Sequence, residues 1–418
     1  MEQINIAELI LVGNELLSGS RSDSHAAFLG RALARAGIVL KRCAIVEDDE
    51  EQIAEIVKET VQRADIVIVS GGLGPTNDDV TREGIAGAVD KPLELDIESM
   101  TTLESYFQKI DLPINDMTRR QAYFPTGAKL LPNRCGTAAG FSLDLKGHTL
   151  FVLPGPPREL QPMVLEFVIP SIQKKYPAPP IYSATFKIAG IGESTLSELC
   201  EPLYRRFPMF YFSSLPARGC VDIIVTERRD AEFDTPIENS AALLENDLRN
   251  LLGTKMYGTG DVSLASAVGE RLVHRGETLS IAESLTGGML GKRLTDFPGS
   301  SRFLLADVVA YSNEAKSDFM GVQEGTLMKF GAVSEQVCRE MVEGIKHRTG
   351  ASWSIATTGI AGPSGGTDTK PVGLCYYGLS WRDGTDICKK VFHGSRAHIR
   401  ERVTNALLLM LYEKLHEG

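Results

Sequence analysis

The sequence predicts an α/β protein in three parts: an α/β domain over residues 1–175, a small α+β connector over 181–255 and a second α/β domain over 261–418. Three observations predict this. Short apolar runs rich in β-branched residues alternate with helical stretches, the pattern of parallel strands joined by helices. The proline cluster Tyr176-Pro177-Ala178-Pro179-Pro180 breaks that pattern and reads as a boundary. At roughly 100–200 residues per domain, the length suggests two to four domains.

The first part offers strands over 6–12, 39–46, 66–70 and 150–153, and helices over 25–36 and 50–63. The run 6–12 contains Glu8 and leads into a glycine turn, so it reads as a first strand rather than a signal peptide. The connector reads β-α-β-β-α, with strands at 184–188 and 222–226 and helices at 194–206 and 235–252, the last capped by Gly253. The order is KH-like, but the segment lacks a GxxG loop and is not basic, which argues against an RNA module. In the third part Leu264, Val268, Leu272 and Val273 recur at helical spacing. Strands follow at 278–282, 308–311, 354–357, 374–379 and 388–392, with helices near 286–294, 334–349 and 396–416. This part reads as self-contained from about residue 261.

Composition narrows the function classes. Hydrophobic residues make up 43% and charged residues 23%, a globular balance. No apolar run reaches the roughly 18 residues of a membrane span. Seven scattered cysteines with no CxxC pair point to free thiols in a reducing cytoplasm. A net charge of -10 argues against broad nucleic-acid binding. Phosphates would have to be held locally, by backbone amides and a few basic residues.

Gly71-Gly72-Leu73-Gly74-Pro75-Thr76-Asn77-Asp78-Asp79 follows the third strand. Glycines let the backbone approach a phosphate, and a following helix offers unpaired N–H groups. The same residues also read as a tight turn, with Thr76 or Asn77 as a cap and two aspartates complementing a helix dipole. Asp78 and Asp79 read equally as oxygen ligands for a divalent metal. Leu153-Pro154-Gly155-Pro156-Pro157 and Gly13-Asn14-Glu15-Leu16-Leu17-Ser18-Gly19 are two more strand-end loops. In an open α/β sheet such loops gather on one rim, where ligands bind.

In the third part, Ala282-Glu283-Ser284-Leu285-Thr286-Gly287-Gly288 places Ser284 at a strand-to-helix turn. Ser284 reads either as a nucleophile beside free amides or as a helix cap. Gly362-Pro363-Ser364-Gly365-Gly366 matches GxSxG in letters only, because turn-forming residues rather than a helix follow it. Lys316, in Tyr311-Ser312-Asn313-Glu314-Ala315-Lys316, lies 32 residues beyond Ser284 and also follows a strand end. It reads as a solvated charge, or, if desolvated beside a serine, as a base.

The runs AESLTGG, FPGSS, VVAYSNEAK, GAVSE and TTGIAGPSGGTDTKPVG resemble the C-terminal domain of the CinA family (competence/damage-inducible proteins). GNELLSG, SGGLGPTNDDVTRE, CGTAAGF and LPGPP resemble the family's N-terminal domain, which is similar to molybdopterin-binding proteins. The resemblance implies a three-layer α/β fold for the first part. It implies a C-terminal deamidase converting nicotinamide mononucleotide (NMN) to nicotinate mononucleotide and ammonia without a cofactor. It also implies a divalent-metal-dependent ADP-ribose pyrophosphatase in the first part, and a cytoplasmic homodimer. Other readings are a pterin- or nucleotide-binding first domain without turnover, and a scaffold in DNA uptake or recombination.

Carried onto this chain, the resemblance makes Ser284 the nucleophile and Lys316 its base, with Thr358 beside them. Thr286, Gly287, Gly288, Tyr311, Asn313, Gly359, Arg396 and Arg400 become substrate contacts, the arginines for phosphate. In the first domain Glu15, Gly71, Gly72, Gly74, Thr76 and Gly155 become substrate contacts, and Asp78 and Asp79 metal ligands. The chain departs from the family at Leu285, where Cys is common, and at Ala139, where Pro is usual. It also has Asn14 for the usual Thr and His25 for the usual Asn.

Overall fold

Strands β1 (Ile6–Val12), β2 (Val39–Val46) and β3 (Ile66–Ser70) form where the β-branched runs predict them. The computed structural model describes residues 5–145, 147–217, 219–229 and 236–417. Two short strands, β4 (Leu93–Leu95) and β5 (Tyr123–Pro125), pair separately. β6 (Lys129–Leu131), β7 (Gly140–Leu145) and β8 (His148–Leu153) complete a six-stranded sheet of order β2-β1-β3-β8-β7-β6. Its β2-β1-β3-β8 core is parallel. The purely parallel pairing implied by the sequence pattern is corrected at the other edge, where β7 runs antiparallel to β8 and to β6. Only two residues join β7 to β8, a connection that antiparallel strands alone can make.

Alternate residues of these strands enter two cores. Leu9, Leu11, Ile68 and Phe151 pack against Leu29 and Leu33 of helix His25–Arg35 and Leu160 of helix Pro157–Met163. Ile10, Val12, Val67 and Val69 pack the other way, with Ile53 and Val57 of helix Glu50–Thr60 and Ile85 of helix Thr81–Val89. A sheet covered on both faces explains the near-continuous apolar runs and makes the domain three-layered.

The chain divides into two compact units at Tyr182 and Ser183. In the second unit, β9 (Ser183–Ala189), β10 (Phe210–Ala217), β11 (Cys220–Glu227) and β12 (Met256–Thr259) form a sheet of order β10-β11-β9-β12. Helices Glu193–Arg206 and Ile237–Leu252 accompany it. Thr235, the first residue of the second expected helix, lies outside the described residues. A second sheet has the order β14 (Leu304–Val309), β13 (Leu279–Glu283), β15 (Trp353–Gly359), β16 (Leu374–Ser380), β17 (Thr385–Val391). β13 is parallel to both its neighbours, and β16 and β17 turn back antiparallel.

Leu279, Ile281 and Ile355 face helices Leu264–Arg275 and Arg396–Lys414, while Ala282 and Ala356 face helix Glu335–Thr349. Ala189, Cys220 and Tyr257 share the first of these cores with Leu408 and Leu409 of the C-terminal helix. All seven cysteines are free thiols. Among the described residues no helix is long and apolar enough to cross a membrane.

Candidate active site

The three strand-end loops of the first unit meet around a cleft of about 590 Å³. Glu15, Gly71, Gly72, Gly74, Asp78, Asp79 and Gly155 line it; Thr76 does not. Gly71 has φ near 113°, and a side chain there would strike the Val12 carbonyl, so this turn requires glycine. The helix after the loop begins only at Thr81, behind Val80, so neither Thr76 nor Asn77 caps it. Asp79 folds back instead and accepts the N–H groups of Gly74 and Thr76, each at 2.8 Å, together with the Thr76 hydroxyl. Its oxygens staple the turn, so a metal ligated by Asp79 would share them with these donors. Arg82, buried beneath, donates to the carbonyls of Leu73 (2.8 Å) and Gly74 (3.0 Å) and fixes the loop from below.

Asp48 and Gln121 of the cleft escape the motif reading, which names His25 only as a departure from the family. Asp48 accepts the Asn14 N–H at 2.8 Å. Its carboxyl is pushed above the usual carboxylate range, first by burial and then, against that hydrogen bond, by the charges of Glu15, Asp78 and Asp79. His25 Nδ1 lies 3.1 Å from Ser70 Oγ, and burial pushes the imidazole below its usual range against the pull of Asp23. Gln121 is buried in the wall, and its carboxamide has no partner among the described residues. Among those residues no three His, Cys, Asp or Glu side chains converge as a metal-binding group. The donors therefore suit a divalent ion held by one or two carboxylates, such as Asp78 and Asp48, and otherwise by substrate phosphate and water.

In the second unit β13 ends at Glu283, and Ser284 begins the turn into helix Met289–Thr295. Gly287 and Gly288 both have positive φ, which lets the chain reverse there. The amides of these glycines are not free, contrary to expectation. Gly287 N–H goes to the Ser284 carbonyl at 3.1 Å, and Gly288 N–H to Glu283 Oε2 at 2.9 Å. Among the described residues, the turn's N–H groups without a partner are those of Ser284, Leu285 and Thr286.

Lys316 is buried, at 1% exposure, on the helix Asn313–Met320. The bond from Ala310 N–H to the Glu283 carbonyl (2.8 Å) sets Ala310 beside the start of the Ser284 turn. Lys316 Nζ donates to the Ala310 carbonyl at 2.9 Å and, at longer range, to those of Tyr311 and Ser312. No hydrogen bond joins Nζ to Ser284 among the described residues. Burial pushes the amine below its usual range, opposed by Glu314.

Thr358 also differs from expectation. It lies on β15 two residues beyond Ala356, the last residue that pairs with β13, and its hydroxyl donates to the Ala332 carbonyl at 2.8 Å. Thr357, which the motifs did not single out, pairs with Thr286 through their hydroxyls at 2.8 Å. Gly359 closes β15 where a side chain would strike Leu374 and Cys375. Asn313 is exposed at the first position of its helix, behind the Ser312 cap. The two arginines separate in role. Arg400 grips the Thr286 carbonyl with Nε (3.2 Å) and Nη2 (2.6 Å), buttressing the turn. Arg396 reaches the exposed Tyr311 hydroxyl at 2.7 Å and the Gly362 carbonyl at 3.0 Å, on the rim. Ser364 sits in a loop, not on a strand-to-helix elbow.

Residues 261–415 match the family model described as "CinA C-terminal domain", and residues 8–174 the model described as "Probable molybdopterin binding domain". A competence-damage inducible protein of Moorella thermoacetica is 40% identical over 412 residues, covering 98% of each chain. One from Clostridium kluyveri is 39% identical over 406 residues, covering 96% of this chain and 98% of that one. A CinA superfamily protein of known structure from Klebsiella pneumoniae is 34% identical, covering 37% of this chain and 97% of its own, with a TM-score of 0.36.

Proposed function

The chain belongs to the CinA family of competence/damage-inducible proteins, and from that premise we propose that its second unit is an amidohydrolase that converts NMN to nicotinate mononucleotide and ammonia. The observation that carries this reading is a buried lysine with its amine pushed toward the neutral form, whose Nζ donates to the carbonyl of Ala310, the residue whose N–H bonds Glu283 just before Ser284. Ser284 Oγ attacks the carboxamide carbon while neutral Lys316 takes the hydroxyl proton. Catalytic hydrogen bonds often tighten only once substrate is bound, so Nζ has to leave one of its weaker carbonyl partners to reach Ser284. The N–H groups of Leu285 and Thr286 receive the oxyanion. Lys316 returns the proton to the leaving nitrogen, ammonia departs, and water hydrolyses the acyl ester on Ser284. Arg396 and Tyr311 on the rim suit the 5′-phosphate, a role less available to Arg400, which is committed to Thr286.

For the first unit we propose metal-assisted hydrolysis of the ADP-ribose diphosphate. Glu15, Asp48, Asp78 and Asp79 make its cleft acidic, so a diphosphate enters only with a cation. A divalent ion, when bound, supplies charge neutralisation there. The unpartnered Gln121 carboxamide suits the donor–acceptor edge of a heterocycle.

Ammonia release from NMN, with nicotinamide riboside and glutamine as controls, tests the first reading; no release from NMN overturns it. ADP-ribose hydrolysis with and without added divalent metal tests the second. Binding without hydrolysis in both conditions would leave the first unit a binding module.

A further inference from the structure

The chain between helix Thr81–Val89 and β6 contributes two residues to the cleft of the first unit, Tyr106 and Gln121. Tyr106 lies in the last turn of helix Ile97–Lys109, and Gln121 in the short turn Arg120–Ala122 that leads into β5. The two segments pack together. Asp96, which caps the helix, also donates its N–H to the Ala122 carbonyl at 2.8 Å.

Gln121 is 1% exposed, and neither its carboxamide oxygen nor its nitrogen has a partner among the described residues. A buried amide left without hydrogen bonds costs stability. Arg82 Nε and Glu83 Oε2 share that condition, but neither residue lines the cleft. Gln121 does, so a molecule in the cleft meets it. Whichever way the amide is turned, it offers one donor beside one acceptor. A phosphate, which only accepts, satisfies half of that pair. A ring with a donor next to an acceptor satisfies all of it, and the amino edge of adenine is such a ring. Tyr106 supplies the flat partner. It lines the same cleft and is 45% exposed, and an aromatic side chain open to a cleft gives a planar base a face to stack on.

We propose that Gln121 and Tyr106 form a subsite for a purine ring bearing a 6-amino group and set which nucleotides the first unit accepts. The proposal rests on the ADP-ribose reading above for the rest of the ligand; the subsite itself is defined by the two residues. The free protein holds Gln121 at a cost in stability that a bound base relieves. A glutamine kept for packing behaves in the opposite way, because its bonds are complete before any ligand arrives.

The test uses the full chain with added magnesium. AMP is the probe, and ribose 5-phosphate supplies the same sugar and phosphate without the base. AMP should bind at least about tenfold more tightly than ribose 5-phosphate. Gln121→Met and Tyr106→Ala should each weaken AMP binding about tenfold and leave ribose 5-phosphate unchanged. Purine riboside 5′-monophosphate, which lacks the amino group, should lose as much as AMP to Tyr106→Ala but less to Gln121→Met. A second readout needs no ligand. Replacing an unsatisfied amide by an apolar side chain should raise the melting temperature of the free protein by about 2–4 °C. Gln121→Met and Gln121→Leu are both scored, so that a misfit of one side chain is not mistaken for a lost bond. A lower melting temperature in both would mean that an internal water already satisfies the amide, and would overturn the subsite. Equal affinity for AMP and ribose 5-phosphate would overturn it too, as would AMP binding that neither Gln121→Met nor Tyr106→Ala changes. If AMP behaves as described while ADP-ribose is not hydrolysed, the subsite stands and the first unit binds its ligand without turnover.

Discussion

The two candidate sites share a local design and put it to different use. In each, a buried parallel strand runs into a glycine turn before a helix, and a carboxylate accepts that turn's amides. At the end of β3 the staple is Asp79, from the loop itself, and Glu15, Asp48 and Asp78 line the cleft with it. At the end of β13 the staple is Glu283, on the strand and hidden, and the groups beside it are a serine and a lysine. The first arrangement presents negative charge to a ligand, which is why a cation enters the proposal for it. The second conceals its negative charge, and on the reading proposed above Arg396 is the group that meets an anionic substrate. The position of the stapling acid thus decides which chemistry the same turn can host.

Substitutions at the two sites should separate accordingly, and the largest effect belongs to Ser284. Ser284→Ala should cut ammonia release from NMN at least about 10³-fold while leaving the NMN dissociation constant nearly unchanged. Substantial residual turnover would replace the acyl-enzyme with direct attack by water. Next comes Lys316. Both Lys316→Ala and Lys316→Arg should lose about 10²–10⁴-fold in kcat, because arginine cannot give up its proton near neutral pH. Rescue by arginine would reduce Lys316 to a cation holding carbonyls. Because burial lowers the Lys316 value, kcat should rise with pH on a limb below the range of an ordinary lysine. That limb should be absent in Lys316→Arg.

Smaller effects sharpen the contrast. Arg396→Ala should raise the NMN KM about tenfold with little change in kcat, and should not affect nicotinamide riboside, which lacks the phosphate. An equal loss with both substrates would remove Arg396 from the phosphate. Asp78→Asn should weaken metal-dependent ADP-ribose hydrolysis about tenfold and leave NMN deamidation intact. Damage to both activities would mean that the two sites are coupled or the fold impaired. The smallest change is structural: Asp79→Ala frees two amides of a partly exposed turn and should cost about 1 kcal/mol in denaturant unfolding.

Much of this architecture was legible from residues near one another in sequence. The central strands β1, β3, β8, β13 and β15 show because they are buried along their length, whereas β6 and β7 go unread and β14 lies at Leu304–Val309 rather than at the expected 308–311. Helices with little buried surface do not show: Glu324–Phe330 buries no residue and Ile97–Lys109 only Leu103, so neither has an apolar stripe to detect. The positions of Ser284, Lys316 and the cleft loops were likewise readable from motif order. What could not be read is where polar groups spend their hydrogen bonds. Thr358 turns to Ala332, the Gly288 amide turns to Glu283, and Arg400 turns to Thr286. Each is a choice among partners that only the folded chain brings within reach. Asp307 illustrates this most clearly, since nothing in the run LLADVV marks its aspartate as lying against a glycine of another helix.

The C-terminal helix Arg396–Lys414 has a practical consequence for anyone wishing to isolate the part of the chain that carries Ser284. Ala189, Cys220 and Tyr257 of the connector lie in the same apolar cluster as its Leu408 and Leu409. A fragment begun at residue 261 would strip away that cover and present greasy surface to water, inviting self-association during purification and storage. A fragment begun at Ser183, the natural seam of the chain, keeps the helix dressed and should remain monodisperse at concentrations where the shorter one clumps.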